Sequence, residues 1–153
     1  MSELLDKLDT LEYESPQIRF DKKQDYGYRI LVDHRYDVDV KSSDLKTAIA
    51  FILEDGSVDF FVLTMLPDDC PVVDWFFVRE GTEYFLYVHY LADSHPQRQD
   101  DTVGARWEGS DHDLKSLSPV SPVEVVTALT EEDGYKTALN SISFRYTEKF
   151  DPY

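Results

Sequence analysis

Three apolar runs, VDFFVLTML at 58–66, VVDWFFVR at 72–79 and EYFLYVHYL at 83–91, follow one another with short turn segments between them. They are rich in β-branched and aromatic residues, which suit a pleated, half-buried surface. Their joints, PDDCP and EGT, are built from turn formers. Consecutive runs of this kind commit the chain to an antiparallel sheet. KTAIAFIL at 46–53, followed by EDGS, reads as one more strand, joined to 58–66 by a hairpin around Asp55-Gly56. The expectation is a four-strand meander.

Alternation assigns faces, because successive side chains of a strand point to opposite sides. Val73, Trp75 and Phe77 share one face and Asp74, Phe76 and Val78 the other; in the next run Tyr84, Leu86, Val88 and Tyr90 oppose Phe85, Tyr87 and His89. Both faces carry aromatic mass, so helices are expected on one, and strands, a partner or a second copy of the chain on the other.

The flanks supply further elements. Leu4, Leu5, Leu8 and Leu11 recur at helical spacing behind Ser2, which predicts a short N-terminal helix. YGYRILVD at 26–33 and YDVDV at 36–40 read as strands, the second with Tyr36, Val38 and Val40 inward. SPVEVVTAL places Ser121 as N-cap, Pro122 at the first helical position and Glu124 at the capping-box position. A second helix is expected over 130–140 and a strand over 141–147, with Ile142, Phe144 and Tyr146 on one face. The expected fold is α+β: an antiparallel β-meander sheet of about five to seven strands, a short N-terminal helix, and one or two helices near the C-terminus. Residues 1–153 are expected to form one globular domain with a long acidic loop at about 92–118.

Charge limits function. There are 31 acidic residues against 15 basic ones, a formal net charge of -16. A chain this acidic repels phosphate backbones and anionic lipid surfaces, which argues against direct nucleic-acid or membrane binding. No apolar run reaches the roughly 18 residues that span a bilayer, and no signal-peptide pattern opens the chain, so a cytoplasmic location is expected. A lone cysteine, Cys70, excludes an internal disulfide and a multi-cysteine zinc site. It sits between two prolines with no lowered-pKa environment in view and reads as a turn thiol. No nucleophile elbow, P-loop or dinucleotide fingerprint occurs. The reading is of no catalytic residues and no cofactor.

The acids gather where the meander predicts a common end, against Glu54, Asp55, Glu80 and Glu83 at the opposite end, so that the contrast is one of degree. Turns of a meander alternate between sheet ends, so the turn with Asp68 and Asp69 shares its end with the loop leaving Leu91. That loop carries Asp100, Asp101, Asp111 and Asp113, together with the Arg106-Trp107 pair, a type of residue pair enriched at binding hot spots. These eight residues are the candidate partner-binding rim. A metal reading takes His89, Asp93, His95 and His112, since imidazole and carboxylate together suit transition metals. Their irregular spacing, interrupted by Pro96, Gly104 and Gly109, argues against it. His34 reads as a turn residue.

In size and charge the chain is similar to bacterial immunity proteins that neutralise cationic toxins and to inhibitors that imitate nucleic acid, a likeness with no residue to carry over. The expected function is that of a small acidic binding protein, of inhibitor or immunity type, docking a basic protein partner. The alternatives are a salt-adapted (halophilic) domain, in which the 20 aspartates serve solubility, and a metal-dependent enzyme using His and Asp groups of the 89–113 region. The aromatic second face offers a surface for a homo-oligomer.

Overall fold

In chain order the elements are α1 (Ser2–Asp9), β1 (Gly27–Val32), β2 (Tyr36–Lys41), α2 (Leu45–Asp55), β3 (Phe60–Leu66), β4 (Val73–Glu80), β5 (Glu83–Tyr90), β6 (Asp113–Ser116), α3 (Pro122–Leu129) and β7 (Phe144–Thr147). They come from a computed structural model that describes residues 2–14, 27–33, 36–66, 73–90, 113–131 and 141–147. The strands form a seven-stranded sheet in the order β2-β1-β3-β4-β5-β6-β7, and every neighbouring pair is antiparallel. The architecture is α+β, as the pattern of elements predicts.

One expected strand is a helix. KTAIAFIL belongs to α2, where Leu45, Ala48, Ile49 and Ile52 are buried at the i, i+3, i+4, i+7 spacing of a helical stripe. The Asp55-Gly56 pair that signals a hairpin ends this helix instead, with Gly56 in the left-handed region at φ 76°. Asp55 accepts the Ser57 N–H at 3.0 Å just beyond. The run of consecutive antiparallel neighbours therefore begins at β3 and continues in chain order to β7. From the edge strand β2 the chain crosses through α2 and re-enters as β3, so β1 lies between its two partners.

Helices cover one face. Tyr28, Ile30, Val38, Val40, Phe61, Leu63, Trp75, Phe77, Leu86, Val88, Leu114 and Phe144 bury their side chains beneath α1, α2 and α3, joined by Leu4 and Leu8 of α1 and Val125, Val126 and Leu129 of α3. Each large side chain so buried contributes about 1.5–3 kcal/mol relative to exposure. Phe61 stacks on Phe77 with ring centroids 4.8 Å apart, and Trp75 meets Tyr28 edge-on at 6.4 Å. The Tyr28 hydroxyl donates to the Leu129 carbonyl at 3.2 Å and ties β1 to the end of α3. The buried Trp75 indole N–H has no hydrogen-bond partner among the described residues.

Local signals account for the helix ends. Ser121 caps α3, its hydroxyl accepting the Glu124 N–H at 3.3 Å, and Pro122 is the first helical residue. After α1 the chain turns back along the sheet edge: Glu12 forms an antiparallel bridge with Val40, and the Tyr13 N–H donates to the Asp39 carbonyl at 2.9 Å. Tyr13 then lies over Gly27, where its hydroxyl and the Val40 carbonyl oxygen leave no room for a Cβ. The outer edge of β2 is thus covered at Asp39 and Val40 by its own chain, a common protection of sheet edges.

The stretch expected as a loop at 92–118 is not a loop throughout. Asp113–Ser116 is β6, paired on both sides, so Asp113 lies in a strand and not in a loop. DLKS is too short for alternation to announce it. At Ser116 the strand leaves β5: the buried Ser116 hydroxyl accepts the Leu86 N–H at 3.0 Å, and Val120 takes up the pairing by donating its N–H to the Tyr84 carbonyl at 2.8 Å. The helix expected over 130–140 falls largely outside the described residues. No helix among them is long and apolar enough to cross a membrane.

Candidate functional site

Strand register fixes which connections share an end of the sheet. Gly27 pairs with both Lys41 and Leu66, Val73 with Tyr90, His89 with Asp113, and Asp113 with Thr147. The segment 67–72 between β3 and β4 and the segment 91–112 between β5 and β6 therefore leave from one and the same end. Counted from the sequence, these two segments hold seven aspartates and glutamates at 68, 69, 93, 100, 101, 108 and 111, against Arg98 and Arg106.

The candidate residues divide accordingly. Asp68, Asp69, Asp100, Asp101, Arg106, Trp107 and Asp111 lie outside the described residues, as do Asp93, His95, His112 and Cys70. Asp113 and His89 are placed on β6 and β5, directly opposite each other. In register, His89 stands between Asp74 of β4 and Asp113 of β6.

Those three positions belong to a row that crosses the sheet on the face opposite α1, α2 and α3: Asp39, Arg29, Thr64, Asp74, His89, Asp113 and Thr147. Arg29 grips Asp39 with two charge-assisted bonds, Nε to Oδ1 at 2.8 Å and Nη2 to Oδ2 at 3.2 Å. The Thr64 hydroxyl donates to Asp74 Oδ1 at 2.7 Å. The next row on the same face runs Asp37, Leu31, Val62, Phe76, Tyr87, Lys115 and Arg145, apolar in its middle and cationic towards β7. Lys115 lies 4.9 Å from the Phe85 ring centroid and 5.5 Å from that of Tyr87, and its Nζ is 3.5 Å from a Glu80 carboxylate oxygen. Sequence reasoning places Asp74, Phe76, Tyr87 and His89 on one face of their strands but does not align them, because register is a property of strand pairs, and it puts Asp113 and Lys115 in a loop.

At the opposite end of the sheet the acids hold the chain together. Asp33, the one described non-glycine residue with positive φ (49°), accepts the backbone N–H groups of Asp59 and Phe60 at 3.1 and 2.9 Å. Arg79 donates to Asp59 at 2.7 Å and to the Gly56 carbonyl at 2.6 Å, and the Asp59 carboxylate raises the pKa of its guanidinium. The Tyr84 hydroxyl donates to the Val58 carbonyl at 3.0 Å, with burial pushing its pKa above the usual phenol value. Ser57 hydrogen-bonds the Asp55 carboxylate and lowers its pKa. Asp33, Asp55 and Asp59 are thus tied to neighbouring groups, while the Asp59 side chain stays 77% exposed and Glu54, Glu80 and Glu83 at the same end are exposed as well.

Other sites are sparse. A groove between α1 and α2 is lined by Glu3, Leu4, Lys7, Phe51, Glu54 and Asp55, and another near the start of α3 by residues that include Ser121, Glu124, Ser141 and Ile142. Among the described residues neither lining holds a histidine or cysteine to act as base or nucleophile. Among the described residues no group of three or more His, Cys, Asp or Glu side chains is arranged to hold a metal ion. The fold and the strand ends together define an α+β protein with an all-antiparallel sheet, helices on one face, and two acidic connections at one end. No family model, curated protein or solved structure matches the chain.

Proposed function

We propose that the protein is an acidic binding protein, of inhibitor or immunity type, that docks a basic protein partner at the sheet end from which 67–72 and 91–112 depart. The observation supporting this reading is the shared end: antiparallel pairing from β3 to β6 brings the roots of two aspartate-rich connections together. Concentrated negative charge speeds encounter with a cationic surface and selects against acidic ones. At the far end, Asp33, Asp55 and Asp59 hydrogen-bond neighbouring groups, while Glu54, Glu80 and Glu83 are exposed there, so the contrast between the two ends is one of degree.

The test uses a fluorescent polylysine peptide as a cationic probe, titrated against the full chain at about 0.1 M KCl, where the Debye length is about 10 Å. Asp68→Lys/Asp69→Lys and Asp100→Lys/Asp101→Lys are each expected to weaken binding about tenfold, or about 1.4 kcal/mol. The control Glu54→Lys/Glu83→Lys makes the same change in charge at the other end and is expected to shift affinity by less than about threefold, under 1 kcal/mol. Equal losses from all three variants would mean that the probe senses net charge alone, and the proposed rim would be withdrawn.

A further inference from the structure

We draw no further inference here: the strongest candidate, the sheet face opposite α1, α2 and α3 around Val62 and Phe76, holds those two side chains at 2% and 4% exposure, and nothing in the structure shows what covers it.

Discussion

Gly27→Ala probes the closure of the sheet edge at the level of single atoms. In a strand this exchange ordinarily stabilises by about 0.4–1 kcal/mol, because alanine has less freedom to lose on folding. Gly27 is not in the left-handed region, so any penalty must come from space. A Cβ there would collide with the Tyr13 hydroxyl and ring and with the Val40 carbonyl oxygen. The two obstacles differ in kind. Tyr13 can swing away, at the cost of uncovering the β2 edge, whereas the Val40 oxygen belongs to backbone paired with β1 at Tyr28 and moves only if the ladder opens. Overpacking of this sort costs about 1–3 kcal/mol. Set against the usual gain, the net loss is expected near 1–2 kcal/mol, or about 2–8 °C in Tm for a chain of this size. Urea and thermal unfolding of wild type, Gly27→Ala, Tyr13→Ala and the double variant read the two contributions separately. The double variant should remain about 1 kcal/mol below Tyr13→Ala, because the Val40 oxygen still obstructs. A Gly27→Ala protein as stable as wild type would refute the packing of Tyr13 and Val40 against Gly27.

Three further outcomes are expected. Ser116→Ala leaves the Leu86 N–H without its acceptor in a buried site and should cost about 1–3 kcal/mol, with faster amide exchange at Leu86 in NMR. Burial raises the Tyr28 pKa far above the usual phenol value, so in the folded state the group stays neutral after unfolded tyrosine has begun to ionise near pH 10. Its contribution is complete below about pH 10 and is lost as pH rises beyond it, so the urea midpoint should fall from pH 10 to 11, less steeply in Tyr28→Phe. Residual slope in that variant is expected from Tyr13 and Tyr84, whose pKa values burial also raises. Finally, if the acids serve partner binding and not a saline solvent, the protein should melt as a cooperative fold at about 0.1 M KCl. A fold that forms only in molar KCl would favour salt adaptation instead.

The sheet was legible from residue 58 to residue 90 because its runs alternate and its turns are chemically marked. KTAIAFIL was not, and the reason is local. Its apolar residues occupy nearly every position, so periods of 2 and 3.6 both fit, and Asp44 makes no side-chain cap that would announce a helix start. Burial of Leu45, Ala48, Ile49 and Ile52 against the core decides in favour of the helix. β6 escaped notice for the opposite reason: its four residues carry almost no pattern, and pairing on both sides holds them in the sheet. For the candidate site, alternation of the turns was enough to put the roots of the 67–72 connection at the same end as those of the 91–112 connection. The row from Asp39 to Thr147 required the register of six strand pairs, which no single segment encodes.

The insertion of β1 between β2 and β3 has a consequence for synthesis. Emerging from the ribosome in order, β1 and β2 can pair once residue 41 is free, but the second edge of β1 has no partner until the chain reaches Leu66. At about 5–20 residues per second that interval lasts about 1–5 s. Through it, the nascent hairpin presents a row of unpaired amides and carbonyls, the kind of edge that recruits other strands. The residues made during the same interval are those of α2, whose apolar stripe packs over the same part of the sheet, so the helix-side cover arrives before the missing strand.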